Sequence, residues 1–298
     1  MPGESPFRIE VAAERAGSRL DQFLAGVLGS RAQAQRLIEG ACVTVDGRPR
    51  SKRYAVKEGD AIEIVVPAPP RADERSNASF GVAFEDQHLL IVDKPAGVVV
   101  HPARGHLTGT LSQALAGRAA GGERPWRAGI VHRLDRDTSG LLVVAKSERV
   151  HRALKALLAA RELRREYLAL VEGRPNARAG TVDAPIGRDR RDRKLMSIDS
   201  AAPRAARTHF EIERSLPEAT LLRVVLDTGR THQIRVHMAA IGHPVCGDPT
   251  YGTVGLFGLQ RQFLHATRFT FAHPVTGEAI DASSALPAEL REALVRAR

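Results

Sequence analysis

The sequence predicts an α+β fold, in which a small N-terminal αα/β module is joined by a linker to a larger domain built on a mixed, mainly antiparallel β-sheet. Three features predict it. A proline-rich break lies near residue 70, two short helical patterns followed by strand patterns precede it, and short apolar runs at irregular spacing follow it. In the first module, Leu20, Phe23, Leu24 and Val27 recur at helical spacing. Ser30 stands where it would cap a second helix carrying Ala34, Leu37 and Ile38, which Gly40 ends. Val43-Thr-Val-Asp-Gly-Arg48 reads as a strand entering an Asp-Gly turn, and Asp60-Ala-Ile-Glu-Ile-Val65 alternates as another strand. This unit spans residues 1–66. Residues 67–79, with three prolines, small polar residues and no apolar period, form the linker. From residue 80 to 298, Leu89-Leu-Ile-Val92, Leu141-Leu-Val-Val-Ala145, Tyr167-Leu-Ala-Leu-Val171 and Leu221-Leu-Arg-Val-Val-Leu226 read as buried strands. One helix stands out among them, Ser147 to Glu162, with Ser147 as cap and Val150, Ala153, Leu154, Leu157 and Leu158 on one face. The uneven strand spacing argues against a doubly wound parallel sheet.

Composition narrows the function. At 298 residues and 43% hydrophobic content, the chain can bury a substantial core. No apolar stretch approaches the roughly 20 residues of a membrane-spanning helix. The N-terminus has no basic head followed by an apolar run, so a cytoplasmic protein is expected. Cys42 and Cys246 are too few for a disulfide framework or a thiolate zinc site and read as packed thiols. Lys and Arg total 44 against 34 Asp and Glu, a net charge of +10 that draws the chain toward polyanions. Residues 161–207 hold 12 basic and 7 acidic residues, half of the whole excess in a localised patch. Nucleic acid is the leading partner.

Two dense polar segments carry the chemistry. In His132-Arg-Leu-Asp-Arg-Asp-Thr-Ser-Gly140, Asp135 lies between Arg133 and Arg136 in a turn that leads through a glycine into a buried strand. Asp135 and Asp137 on one face of an extended segment would hold a divalent metal. The two arginines would repel a cation, yet they would keep a carboxylate ionised, lowering an Asp pKa by roughly 1–3 units. A metal-free, ionised Asp135 is a nucleophile or a base; a turn aspartate in an ion pair is the bland alternative. The second segment, Leu226-Asp-Thr-Gly-Arg-Thr-His-Gln-Ile-Arg-Val-His237, reads as entering a strand-like alternation, with Arg235 as its functional side chain. His232 and His237, five apart, share neither a strand face nor a helix face and do not read as metal ligands. Gly252-Thr-Val-Gly-Leu-Phe-Gly258 lacks the spacing of a dinucleotide loop, and no phosphate-loop signature is present. No cofactor and no metal are expected.

The order of motifs resembles the RluA/RluD family of pseudouridine synthases, and within it the type acting on large-subunit ribosomal RNA. The resemblance covers nearly the whole chain. Its first motif stands as Phe84-Glu-Asp-Gln-His-Leu-Leu-Ile-Val-Asp-Lys-Pro-Ala-Gly97 with Val100-His-Pro102, its second as His132 to Gly140, and its third as Gly229-Arg-Thr-His-Gln-Ile-Arg235. Arg165-Glu-Tyr167, Gly242-His-Pro-Val-Cys-Gly-Asp248 with Tyr251-Gly252, Leu264-His-Ala266 and His273-Pro274 follow in family order. Arg19-Leu-Asp, Ser30-Arg31, Arg36-Leu-Ile, Val43-Thr-Val-Asp-Gly47 and Gly59-Asp60 resemble the alpha-L RNA-binding fold. Departures are slight: Ser139 and Asp93 are accepted variants, and Phe210 stands where Tyr is frequent.

The resemblance implies an isomerase that breaks the N1–C1′ bond of uridine, turns the base and rejoins it through C5. Such a reaction needs no small-molecule cofactor. Asp135 resembles the essential aspartate, Tyr167 the tyrosine stacked on a flipped base, and Arg235 the arginine paired with the aspartate. Tyr167 is also a candidate to take the C5 proton, against an ordinary pKa near 10. RNA contacts are expected from Arg31, Gln35, Arg36, Arg48 and Lys52 of the first module, from Arg133, and from a basic loop over the cleft that includes Arg190, Arg191 and Lys194. If these neutralise about six phosphates, affinity falls with log salt at a slope of roughly −4. The chain is read as a monomer that modifies ribosomal RNA. Transfer RNA is the alternative substrate, and a noncatalytic ribosome-assembly factor or a metal-dependent transferase on Asp135 and Asp137 are the rival functions.

Overall fold

A computed structural model describes residues 7–28, 31–65, 78–103, 106–122 and 127–298. The chain divides into two compact units, Met1–Arg71 and Ala72–Arg298. Ser30 and residues 67–77 of the expected linker lie outside the described residues.

In the first unit, strand β1 (Phe7–Glu10) precedes helices α1 (Leu20–Leu28) and α2 (Arg31–Glu39), followed by β2 (Val43–Val45), β3 (Arg48–Pro49) and β4 (Ala61–Ile64). The sheet runs β1-β4-β2-β3, all antiparallel. Asp46 and Gly47, both at positive φ, turn β2 into β3 as the Asp-Gly pair predicts. Leu20, Phe23, Leu24, Ala34, Leu37, Val43, Val45, Ile62 and Ile64 form its core, where the helical and strand periods meet.

The second unit holds β5 (Gly81–Glu85), β6 (Leu89–Lys94), the short helix α3 (Leu111–Ala114), β7 (Ser139–Ala145) and α4 (Glu148–Ala160). Then come β8 (Arg164–Glu172), β9 (Ala179–Asp183), β10 (Gly187–Arg188), β11 (Met196–Ser197), β12 (Arg207–Ser215) and β13 (Ala219–Leu226). Helix α5 (Gln233–Ala240), β14 (Leu264–Ala272), β15 (Ala279–Ser283) and α6 (Ala288–Arg296) complete it. Nine strands make one sheet in the order β5-β6-β7-β14-β8-β13-β12-β9, with β15 on β14. Its one parallel pairing joins β14 to β7 at His265–Ser139 and Ala266–Gly140; the fold is α+β with a mixed, mainly antiparallel sheet. Ser147 caps α4, its side chain accepting from the Val150 N–H, and the apolar face expected of that helix buries Val150 and Leu154.

The strand-like reading of residues 226–237 is corrected. Leu226 ends β13, and from Gln233 the chain is helical. Gln233 through Met238 are all buried in α5, so no polar face exists to reveal a 3.6-residue period.

Candidate active site

The segment around Asp135 is a turn because Gly140 opens β7 at φ +107, and a Cβ there would collide with the Ala266 carbonyl of β14. Buried side chains from distant elements tie this turn down. Lys94, fully buried, donates to the carbonyls of Pro95, Val98 and Arg136 at 2.8, 3.0 and 2.9 Å. Arg261 Nη1 donates to the Asp137 carbonyl at 2.9 Å, and Gln262 Nε2 donates to Thr138 Oγ1 at 3.1 Å. Burial pushes the Lys94 ammonium down to about 7 against the pull of the Asp137 and Asp135 charges.

Asp135 meets α5 across the sheet. Arg235 Nη1 lies 3.2 Å from Asp135 Oδ2. The same guanidinium is gripped from behind by fully buried Asp248, through Nε–Oδ2 at 2.6 Å and Nη2–Oδ1 at 2.7 Å. Burial works against the Arg235 charge, yet hydrogen bonds and charge from Asp248 and then Asp135 carry its pKa above the ordinary value. His232, at the left-handed N-cap of α5, places Nε2 at 4.0 Å from Asp135 Oδ2 and Nδ1 at 3.0 Å from the Tyr251 hydroxyl. Among the described residues, every side-chain contact to the Asp135 carboxylate falls on Oδ2.

The turn, β8 and α5 enclose a cavity of about 600 Å³. Tyr167 of β8 lies in its wall, 4% exposed. Burial raises the Tyr167 phenol pKa; Arg165 pulls it down and Asp135 pushes it up. A phenol held above its ordinary range is ionised less often than an exposed one, so less phenolate is available to take the C5 proton. The rim carries Arg127, Arg133, Lys155, Arg161 and Arg230.

A basic cavity with an arginine-held carboxylate facing a tyrosine is the arrangement in which the three motif residues were expected to meet. Known proteins resemble the chain. The sequence model of the RNA pseudouridylate synthase family matches residues 88–240. The chain belongs to that family. A second model, the S4 domain, matches residues 18–62. An uncharacterised RNA pseudouridine synthase of Bacillus subtilis is 40% identical over 97% of this chain and 97% of its own length. Ribosomal large subunit pseudouridine synthase D of Zymomonas mobilis is 39% identical over 98% and 96%, and that of Pseudomonas aeruginosa 41% over 93% and 91%. Among solved structures, human RNA pseudouridylate synthase domain containing 1 superposes with a TM-score of 0.56 at 28% identity, covering 72% of this chain and 86% of that one.

Within this pseudouridine synthase, Asp135, Tyr167 and Arg235 come together, and other expectations are corrected. Arg136 does not serve Asp135: it pairs with the neighbour on its other side, Asp137, Nη2 to Oδ2 at 2.9 Å, while the Asp135 carboxylate is held by Arg235. Arg133 is exposed on the cavity rim and forms no ion pair among the described residues. The charge partner of Asp135 is Arg235. Asp137, spent on Arg136, does not form a metal pair with Asp135, and no group of three His, Cys, Asp or Glu converges among the described residues. His237 is turned to Thr208 Oγ1 and the Ala184 carbonyl at 2.9 and 2.8 Å, away from His232.

The basic loop is a hairpin of β10 and β11 in which Arg190 pairs with Asp199 at 2.8 Å. Arg190, Arg191 and Lys194 are exposed and do not line the cavity. The hairpin reaches the site through Met196, whose N–H donates to the Tyr251 hydroxyl at 3.0 Å.

In the S4 module, Arg31 and Gln35 converge with Arg19 on buried Asp21, at 3.2, 2.8 and 3.0 Å. Burial alone would raise the Asp21 pKa, but bonds from Gln35, Arg19 and Arg31 hold it far below the usual carboxylate range. Lys52 bonds Glu39 at 2.8 Å, and Arg48 is exposed on β3. The Arg36 side chain lies outside the described residues. Sequence reasoning gave no task to Asp248, Lys94 or Arg261. The signal for Lys94 and Asp248 was their place in the family-like motifs Phe84–Gly97 and Gly242–Asp248.

Proposed function

We propose that this RNA pseudouridine synthase acts on uridine in large-subunit ribosomal RNA, with Asp135 as the reacting carboxylate beneath a base flipped onto Tyr167. The observation that carries this is the one-sided tethering of Asp135. Arg235 occupies Oδ2, which leaves Oδ1 for the cavity occupant. Flipping a base costs a few kcal/mol, and stacking on an aromatic returns about 1–3 kcal/mol. Oδ1 then either attacks C1′ or takes the C2′ proton to give a glycal; the N1–C1′ electron pair passes into the uracil ring in both. A primary isotope effect from deuterium at C2′ separates them. The ribosomal assignment leans on the relatives named for that substrate. Contact with the RNA, whichever its class, is assigned to Arg31, Gln35, Arg36, Arg48 and Lys52 of a module spanning residues 1–66, and to Arg133, Arg190, Arg191 and Lys194.

Gene deletion followed by pseudouridine mapping across ribosomal and transfer RNA tests the reading. The deleted strain should lose one or more ribosomal pseudouridines, restored by the wild-type gene and not by Asp135→Asn. Restoration by the Asn variant overturns the catalytic assignment, and a loss confined to transfer RNA overturns the substrate.

A further inference from the structure

Among the described residues, Arg165 is a charged side chain of the cavity wall with no protein partner for its charge. It stands two residues before Tyr167 on β8, so strand alternation puts both on one face. It is 5% exposed and lines the cavity. Its one hydrogen bond is a 3.3 Å contact from Nη2 to the Leu226 carbonyl, and its Nε–H is shut off from solvent without a partner. Among the described residues no carboxylate pairs with it, whereas Arg161 and Arg235 in the same cavity hold Asp227 and Asp135. Space is kept for it: a Cβ on Gly229 would stand 3.0 Å from Arg165 Nη1.

A guanidinium does not shed its proton in a protein, and burying its charge unpaired is costly. The surroundings register that charge. His132 is pushed down to about 3 by burial and then by Arg165 and Lys155. Its Nε2 accepts from the Val143 N–H at 3.2 Å, so the neutral ring carries its proton on Nδ1, which also lacks a partner. Beside Tyr167, then, stand one surplus positive charge and two unpaired N–H donors. A site of this composition calls for an anion, and the reaction makes one there. When N1–C1′ breaks, the bonding pair is left on uracil and shared by N1, O2 and O4.

We propose that Arg165 is a catalytic residue that stabilises the departing uracil anion, its guanidinium charge set against the ring carbonyl oxygens. This rests on the placement of the base over Tyr167. The anion turns and a ring electron pair forms the C5–C1′ bond as the Asp135 carboxylate leaves C1′ or, on the glycal route, as the C2′ proton is returned; the C5 proton then passes to a base and a proton reaches N1. Arg165 transfers no proton in any step. Fixed donors aimed at developing charge contribute about 10²–10³-fold in rate.

The test uses the full chain and an RNA carrying the uridine mapped in the deletion strain, with either uridine or 5-fluorouridine at the target. Fluorine at C5 stabilises the leaving anion by itself. For Arg165→Gln, the single-turnover rate at saturating RNA should fall about 10²–10³-fold with Kd unchanged. The deficit should shrink about tenfold or more on 5-fluorouridine, read as loss of the N-linked nucleoside. Arg165→Lys, which keeps the charge, should recover part of the rate, and it carries the same leaving-group comparison if the Gln variant does not fold. Equal deficits on both nucleosides overturn the proposal. So does a loss confined to Kd with the salt slope reduced by about 0.7, which assigns Arg165 to a phosphate instead. Asp135→Asn, run alongside, must abolish turnover; activity there sinks the site reading itself, not only the part given to Arg165.

Discussion

Replacing Asp248 by Asn isolates what the clamp on Arg235 contributes. The two Asp248 oxygens meet Arg235 Nε and Nη2 at 2.6 and 2.7 Å, and Oδ1 also accepts the N–H groups of Thr250 and Tyr251 at 2.8 and 3.2 Å. Asparagine keeps the shape but offers one oxygen. Whichever way its amide is turned, an N–H faces the guanidinium or the backbone donors. Removing one partner of a buried ion pair costs about 3–5 kcal/mol. At about 2–4 °C per kcal/mol for a domain of this size, the melting temperature should fall by about 6–20 °C. Arg235 then keeps Asp135 as its only ion-pair partner among the described residues, and one hydrogen bond at most holds the guanidinium from behind. A misplacement near 1 Å at a reacting group costs about 10²-fold. The assays are calorimetric melting of the full chain and single-turnover conversion at saturating RNA, run well below the variant's transition. A variant that melts with wild type and turns over at the wild-type rate would refute the clamp.

Further predictions follow from the same geometry. Tyr167→Phe should bind RNA as wild type does, while Tyr167→Ala should lose about 10- to 100-fold in affinity, the worth of one stacked base; equal affinities for the two variants would remove the stack. His132 is held down to about 3 and His101 to about 4 in the folded chain, each first by burial. Between those values and the ordinary 6.5 the unfolded chain binds protons that the folded chain refuses. The stability due to their neutrality is therefore complete above pH 6.5 and lost as pH falls. Urea unfolding across pH 3.5–7 should show His132→Asn flatter than wild type by at most about 5 kcal/mol; parallel curves would contradict it. Gly140→Ala should prevent folding of the second unit, because its Cβ has no room against Ala266. A soluble G140A with native circular dichroism would be decisive against that.

The parts of the fold legible in the sequence are those whose neighbours in the chain are also neighbours in the packing. β7 reads as one unbroken apolar run because both of its faces are covered. The α4 helix reads from its Ser147 cap and one-sided stripe. β12, Arg207-Thr-His-Phe-Glu-Ile-Glu-Arg-Ser215, is more exposed and offers no apolar run. α5 was lost for the opposite reason, being buried on every side. In the site, Asp135 is legible because its turn carries its own signal in Asp, Arg and Gly, and Arg235 because it stands in a second dense polar segment, its pairing with the aspartate coming from the resemblance. Asp248, Lys94 and Arg165 were not. Lys94 binds a carbonyl 42 residues away, and Arg165 is defined by lacking a partner, which no spacing in a sequence can express.

The parallel seam between β7 and β14 also sets the schedule on which this enzyme comes into being. As the chain is synthesised, the Asp135 turn emerges long before Arg235, Asp248, Arg261 and Gln262, and β7 waits with one edge bare until β14 arrives to cover it. A wholly apolar strand left open is a place for misassociation, and pairings so distant in sequence form slowly. A nascent chain stalled before residue 235 therefore carries Asp135 without Arg235 or Asp248, and one stalled before residue 264 still has the β14 edge of β7 bare.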